Sequence, residues 1–277
     1  MTDQIITLGR SLIQHGKHND RIYLMKLHQD DHPDILTELD KLAQERGYSK
    51  IFAKIPSSAR KVFLNHGYQQ EASIPGFYNG IEDAYFMGKY YSNQRSHNNN
   101  VDQDRKVLAA ANSISGQKGH IDLNDGFQFH VCRDHDVPGM ASVYKEVFET
   151  YPFPIHQTEY ISKTMEEGIV YFSIQEDSRI IALSSAEIDI EDKNAEMTDF
   201  ATLPEYRGRG LSSFLLDKME ENMQKWDVET LYTIARASSF GMNIVFAKAG
   251  YIYAGTLVNN TNISGNLENM NVWYKHI

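Results

Sequence analysis

The order of predicted helices and strands indicates an α+β fold in which helices flank a mixed, mostly antiparallel sheet. Three observations lead to this prediction. Short strands alternate with amphipathic helices, hairpins join some strands directly, and one arrangement of elements occurs twice along the 277 residues. Strands joined by hairpins pair antiparallel, whereas strands separated by a helix can pair in parallel, so the sheet should be mixed.

The first half of the chain is predicted to contain strands and two helices. The first helix opens at Pro33, carries apolar side chains on one face and ends at Gly47, a suitable C-terminal cap. The other elements, in chain order, are a strand at 22–27, strands at 49–55, 68–74 and 83–91, and a short helix at 57–67.

A polar, asparagine-rich segment at 92–104 is typical of a linker. A short helix is predicted around 104–115, and we divide the chain into an N-terminal half (1–91), a linker (92–126) and a C-terminal half (127–277). The predicted elements of the last part are strands at 127–133, 169–176, 179–190, 194–203, 230–235, 251–258 and 270–277, and helices at 138–150, 158–167, 211–226 and 239–249.

The two halves end in similar ways. In each, a Gly-Tyr pair follows a short helix, and a strand, a loop with asparagine and glycine, and a lysine-bearing strand come next. The halves are therefore predicted to be related structures. The first half is shorter and lacks the Arg-Gly segment described below, which favours a structural role, or a wall of the site, over a second active site.

The composition argues against several classes of protein. No apolar run of about 18 residues could span a membrane, and the N-terminus has no signal-peptide pattern. The single cysteine, Cys132, excludes an internal disulfide framework. A net charge of −10 disfavours nucleic acid as a partner and fits a small cation. No His, Cys, Asp or Glu set has metal-site spacing. These features predict a cytoplasmic protein without a metal.

The segment Arg207–Ser212 (RGRGLS) follows a predicted strand and opens a predicted helix. A helix N-terminus presents unpaired N–H groups and a partial positive charge, and therefore attracts anions. Gly208 and Gly210 allow a close approach, and Arg207 and Arg209 add charged donors. Neither a Walker loop nor a Rossmann turn matches this spacing. A phosphate or pyrophosphate of another ligand is predicted here.

The segment resembles motif A of the GNAT N-acetyltransferases, in which Arg/Gln-x-x-Gly-x-Gly/Ala holds the pyrophosphate of acetyl-CoA. The motif falls on Arg207, Gly210 and Ser212, where serine replaces the usual Gly/Ala. The order of elements from 127 to 277 is also similar to that fold, and the first half is similar to a truncated copy. The resemblance implies that the following residues bind acetyl-CoA: Phe200, Ala201 and Thr202 on the strand edge, Arg207, Gly208, Arg209, Gly210, Leu211 and Ser212 in the loop, and Ser239 and Asn243 on the next helix.

A closer resemblance covers nearly the whole chain. The segments IPGFYNGIEDAYFMGKYY, AEIDIEDKNAEMTDFATLPEYRGRGL and ARASSFGMN are similar to the beta-lysine N-acetyltransferases. This implies transfer of an acetyl group to the terminal (N6) amine of beta-lysine, which gives N6-acetyl-beta-lysine, a compatible solute. Two alternatives stay open: acetylation of another amine, such as a polyamine, lysine or a protein amine, and a non-enzymatic acetyl-CoA-binding module.

An alkyl ammonium has a pKa near 10.4 and must lose a proton before it attacks, so the site needs a base. Glu196 resembles the general-base glutamate of the histone-modifying branch of the superfamily. Alternation along the strand places Glu196 and Phe200 on one face and Asp199, the second candidate base, on the other. Glu187 and Asp189 on the preceding strand are further candidate bases, or Glu187 binds the second amine of the substrate. An ordered water is a further alternative.

Other groups complete the predicted chemistry. Many relatives carry a tyrosine, the acid for the leaving thiolate, where this chain has Phe246, so solvent or one of Tyr232, Tyr206 and Tyr151 must serve. Arg236 is predicted to bind the substrate carboxylate. Two aromatic loops, 75–79 and 151–154, are candidates for walls of the site.

Overall fold

The computed structural model describes residues 3–119, 122–263 and 265–277, and all thirteen strands in these ranges form one sheet. The order across the sheet is β1-β2-β3-β4-β6-β5-β12-β13-β11-β10-β9-β8-β7. The strands are β1 (Gln4–Leu8), β2 (Ser11–Gly16), β3 (Arg21–Lys26), β4 (Lys50–Pro56), β5 (Gln69–Tyr78), β6 (Glu82–Tyr90), β7 (Phe127–Val131), β8 (Val170–Glu176), β9 (Arg179–Asp189), β10 (Asn194–Thr202), β11 (Thr230–Arg236), β12 (Ile252–Ile263) and β13 (Asn266–His276).

Helices pack against the strands of the sheet. The α-helices of the described residues are α1 (Ile35–Arg46), α2 (Ser57–Asn65), α3 (Asn93–Ser96), α4 (Val101–Asn112), α5 (Val137–Val147), α6 (Thr158–Glu166), α7 (Leu211–Met223) and α8 (Phe240–Lys248). The prediction of a mixed sheet with flanking helices is confirmed. None of the helices in these residues is long and apolar enough to cross a membrane.

The two halves share one strand arrangement. In each half a parallel pair, β3–β4 or β10–β11, is flanked by antiparallel neighbours. The equivalent strands β5 and β12 meet antiparallel at Ala72 and Gly255 and join the halves into one sheet. A side chain on Gly255 would clash with the backbone of β5, because its Cβ would lie 2.2 Å from the Glu71 carbonyl oxygen. Glycine is therefore required at this joint.

The structure adds elements that the sequence pattern did not reveal. Strands β1 and β2 occupy residues 4–16, for which the sequence pattern predicts no strand. The polar segment 92–104 contains α3 and the start of α4, and the helix predicted around 104–115 begins earlier, at Val101. Arg95 in this segment is buried and donates from Nη2 to the Asn19 carbonyl at 2.8 Å. The segment is thus ordered and packs against the N-terminal half.

The sheet curves so strongly that its two parts face each other. Strands β3 and β9 are eight steps apart in the strand order, roughly 38 Å along a flat sheet at about 4.8 Å per step. Nevertheless, Lys26 Nζ of β3 lies 3.0 Å from Asp189 Oδ2 of β9. The curvature encloses a cavity of about 810 Å³ between the halves, lined by residues of both.

Candidate active site

The parallel strands β10 and β11 diverge at the cavity. They pair from Asn194 with Thr230 to Glu196 with Tyr232, and beyond that point they no longer pair with each other, although β10 stays paired with β9 as far as Thr202 and β11 with β13 as far as Arg236. The edge of β10 that faces this cleft includes the predicted segment 200–202. An open strand edge can hydrogen-bond an extended ligand as if it were an added strand.

The loop between β10 and α7 has the geometry of an anion site. Gly208 and Gly210 have φ values of 77° and 78°, and Gly210 caps α7 by accepting a hydrogen bond from Phe214 N–H at 3.0 Å. The space beside Gly208 is open, with no atom of the described residues within 4 Å of a Cβ placed there. Arg207 Nε donates to the Thr202 carbonyl at 3.2 Å, and the Arg209 guanidinium lies 5.1 Å from the centre of the Tyr206 ring. The loop therefore fits a pyrophosphate.

The other residues assigned to acetyl-CoA have different surroundings. Leu211 is buried under the loop, and Ser212 Oγ lies 3.5 Å from Thr202 Oγ1. Ser239 is half-buried and caps α8. Asn243 is fully buried and accepts from Trp273 and Asn271 while it donates to two backbone carbonyls. These four bonds occupy both N–H donors and both acceptor positions of the Asn243 amide, so none is left for a ligand. The structure therefore corrects the assignment of Asn243 to the cofactor.

A β-bulge interrupts β10 beside the cleft. Its register with β9 shifts between Thr198 and Ala201, and Asp199 has a φ of 53°. A bulge redirects side chains, so Asp199 lines the same cavity as Glu196, and the prediction that they occupy opposite faces is wrong. Phe200 turns away and packs against Phe246, with ring centres 5.7 Å apart.

Asp199 is held by two hydroxyl groups. Ser185 Oγ donates to Asp199 Oδ2 at 2.6 Å, and the Tyr151 hydroxyl donates to Oδ1. Burial raises the pKa of Asp199, and these two donors oppose the rise because they stabilise the carboxylate. The two hydrogen bonds orient this carboxylate, and they leave fewer acceptor positions on its oxygens for a substrate amine.

Two further carboxyl groups stand side by side in the cavity. Glu187 of β9 and Tyr232 of β11 flank Glu196 of β10 in register. Burial raises the pKa of Glu196 to about 7, although Lys54 and a hydrogen bond from Tyr232 lower it. Burial, and then the charges of Glu196 and Asp199, raise the pKa of Glu187 to about 8. A carboxyl group with a pKa near neutrality is suited to act as a general base.

Lys54 of the N-terminal half also faces this cavity, and the sequence reasoning missed it. Its Nζ donates to the Tyr232 hydroxyl at 3.2 Å and lies 5.3 Å from the ring centres of both Phe77 and Tyr232. Burial lowers the pKa of Lys54, and the carboxylates across the cavity oppose this. The sequence did hold a signal for this residue, because Lys54 interrupts the otherwise apolar strand IFAKI. A regular alternation of polar and apolar residues on a solvated strand does not explain a single lysine at that position.

Several predicted residues fall outside the cavity lining. Arg236 Nη2 pairs with Glu268 Oε1 at 3.0 Å, and the structure does not bring it to the carboxylates, which corrects its assignment to the substrate. The Tyr206 hydroxyl bonds Glu176 outside the cavity. Tyr151 and Tyr232 do line it, as do residues of both aromatic loops. Within the described ranges, no group of three or more His, Cys, Asp or Glu side chains is arranged to hold a metal ion.

Comparison with known proteins shows which family and which relatives this chain is similar to. The model of the Acetyltransferase (GNAT) family matches residues 137–251. A beta-lysine N(6)-acetyltransferase from Methanococcus maripaludis is 41% identical over 99% of this chain and 98% of its own. The N-acetyltransferase YodP from Bacillus subtilis is 33% identical over 96% of both chains. A second beta-lysine N(6)-acetyltransferase, from Methanosarcina mazei, is 30% identical over 87% of this chain and 96% of its own.

Proposed function

The chain belongs to the beta-lysine N6-acetyltransferases of the GNAT family, and from this premise we propose that it transfers the acetyl group of acetyl-CoA to the N6 amine of beta-lysine. The observation that carries the proposal is the set of three carboxyl groups, Glu187, Glu196 and Asp199, gathered where β10 and β11 diverge beside the anion-binding loop. An acidic cavity attracts an ammonium substrate, and the loop suits a CoA pyrophosphate.

In the proposed reaction Glu196 accepts a proton from the N6 ammonium, directly or through a water molecule. The free amine attacks the acetyl carbonyl, a C–N bond forms, the C–S bond breaks, and CoA leaves as a thiolate that takes up a proton. We assign the stabilisation of the negative oxygen of the intermediate to backbone N–H groups at the bulge of β10, where the register with β9 shifts. Because Phe246 packs among aromatic rings and has no proton to give, Tyr151, Tyr232 or solvent supplies that proton.

The full-length relatives named as acetyltransferases weigh against a purely binding role, in spite of Phe246. We further propose that the reaction takes place in the cytoplasm, where acetyl-CoA is formed, and that its product accumulates as a compatible solute. The second proposal predicts that the cellular level of N6-acetyl-beta-lysine rises with external salt.

The test is thiol release from acetyl-CoA by the purified protein with beta-lysine, alpha-lysine and spermidine as acceptors, with products identified by mass spectrometry. We expect a strong preference for beta-lysine and a single acetyl group on its terminal nitrogen. Turnover mainly on spermidine or alpha-lysine would overturn the acceptor assignment and leave the chemistry in place.

A further inference from the structure

We propose that Lys54, a residue of the truncated N-terminal half, binds the carboxylate of the amino-acid substrate and thereby selects it over diamines that lack a carboxylate. The inference rests on the proposed function and names the residue that sets its specificity. It also gives the N-terminal half a direct part in substrate recognition.

The charges of the cavity require such a group. Its C-terminal wall presents Glu187, Glu196 and Asp199, which suit the two ammonium groups of beta-lysine. The same wall repels the substrate carboxylate, because like charges a few ångströms apart in partly screened surroundings disfavour each other. A diamine or polyamine has no such group and would need no cation. An amino acid needs a cation in the cavity to offset this repulsion.

Among the described residues, three lysine or arginine side chains line the cavity, and two of them fasten the N-terminal half to the C-terminal half. Arg21 donates to the Asn260 carbonyl and to Thr261 Oγ1 at 3.2 Å, and so fastens the N-terminal half to β12. Lys26 Nζ lies 3.0 Å from Asp189 Oδ2 and 3.3 Å from Glu191 Oε2. Both cations therefore serve the contact between the halves.

Lys54 differs from these two. Unlike Lys26, its ammonium has no carboxylate oxygen within 4 Å in the described part of the chain, and unlike the buried Arg21 it is only partly buried. The hydrogen bond that it makes goes to the Tyr232 hydroxyl. An ammonium group has three donors, so two remain for a ligand. The rings of Phe77 and Tyr232 hold the charge in place by cation–π contact. The arrangement is a positioned cation with unused donors that faces an acidic wall.

The substrate is long enough to reach from the proposed base to Lys54. The Lys54 ammonium donates to the Tyr232 hydroxyl at 3.2 Å, and Tyr232 is the registered neighbour of Glu196 on β11, so the ammonium and the carboxylate face the same part of the cavity. In an extended beta-lysine, six bonds of about 1.5 Å separate N6 from the carboxyl carbon, a span of roughly 7–8 Å. One extended molecule can therefore place its terminal amine at Glu196 and its carboxylate at Lys54.

The experiment compares beta-lysine with beta-lysine amide, in which a neutral carboxamide replaces the carboxylate. Wild-type protein should show a KM for the amide at least about tenfold above that for beta-lysine, since a charge-assisted hydrogen bond is lost. Lys54→Met should raise the KM for beta-lysine by about tenfold or more and the KM for the amide by less than about threefold. Lys54→Arg, which keeps the charge, should recover part of the affinity.

Lys26→Met is the matched control, because it removes a cavity lysine that already has carboxylate partners. It should change both KM values by the same factor. Equal effects of Lys54→Met on the two acceptors, with the pH profile of kcat/KM displaced for both, would overturn the inference and identify Lys54 as a residue that tunes Glu196. A wild-type protein that does not discriminate between the acid and the amide would overturn it without any variant. Absence of wild-type turnover on beta-lysine would overturn the proposed function, and this inference with it.

Discussion

Replacement of Glu196 by glutamine tests the proposed base directly. The side chain keeps its size and its place between Glu187 and Tyr232, but it can no longer accept a proton from the substrate. We expect turnover at pH 8 to fall by about a hundredfold, within the usual range for loss of a general base. The dissociation constant for acetyl-CoA should stay within about twofold, because the pyrophosphate loop lies beyond the end of β10.

The pH dependence of kcat/KM is a more specific test of Glu196 as the base than the fall in turnover at a single pH. A base with a pKa of about 7 is about one-tenth ionised at pH 6 and about nine-tenths at pH 8. The ratio of wild-type to Glu196→Gln kcat/KM should therefore rise about tenfold over this interval and then level off. Taking the ratio removes the titration of the substrate amine, which both proteins share.

The assay is initial-rate thiol release from acetyl-CoA with beta-lysine at several pH values, with Asp199→Asn as the comparison variant. Asp199 lines the same cavity and is already bonded to Ser185 and Tyr151, so its loss should lower the rate without removing the rise with pH. A constant ratio for Glu196→Gln, or a rise that disappears in Asp199→Asn instead, would refute the assignment of Glu196.

Three further predictions concern the cofactor loop, the joint between the halves and the stability of the fold. Arg207→Ala should weaken acetyl-CoA binding about tenfold by calorimetry, through loss of a charged donor to the pyrophosphate, and an unchanged dissociation constant would contradict the loop assignment. Lys50→Met should leave the Glu71 carboxylate buried without the ammonium that lies 2.8 Å from it in the native protein, and should lower the free energy of unfolding by about 3 kcal/mol and Tm by roughly 6–12 °C. Lys61→Met, at an exposed position, is the control, and equal Tm values for the two variants would disprove a stabilising role for the Lys50–Glu71 pair. Burial raises the pKa of Glu187 from the usual 4.5 to about 8, so its stabilising contribution is complete below about pH 4.5 and is lost as the pH rises through about 8. The Tm of Glu187→Gln should accordingly fall less than that of the wild type between pH 5.5 and 8.5, and parallel curves would be inconsistent with this pKa.

The fold was predictable wherever side-chain patterning is local. The apolar face of α1, its left-handed cap at Gly47 with a φ of 63°, and the tight turn at Asp177-Ser178 are all visible in the chain. The loop at 207–212 was recognisable because a helix start, positive-φ glycines and arginines follow one another directly. Strands β1 and β2 were missed because their apolar residues do not alternate clearly, and some, such as Ile5, stay exposed.

The face on which Asp199 lies could not be read from alternation, because one extra residue in β10 reverses the pattern beyond it. Arg236 and Asn243 had the right residue types for a carboxylate and for CoA. Their native partners, Glu268 and the β13 side chains Asn271 and Trp273, are brought to them by the packing of β13. A side chain's chemistry indicates what it can bind, and its neighbours decide what it does bind.

The α+β class, the relation between the two halves and the loop that we propose to bind an anion follow from the amino-acid sequence, since each depends on residues close together in the chain. Only the packing of the whole sheet brings the two halves together around one cavity. Lys54 and Tyr232 lie on β4 and β11, five steps apart in the strand order and roughly 24 Å along a flat sheet, yet Nζ and the hydroxyl are 3.2 Å apart. The curvature that joins them is the sum of the twists of many strands, and no local pattern records that sum.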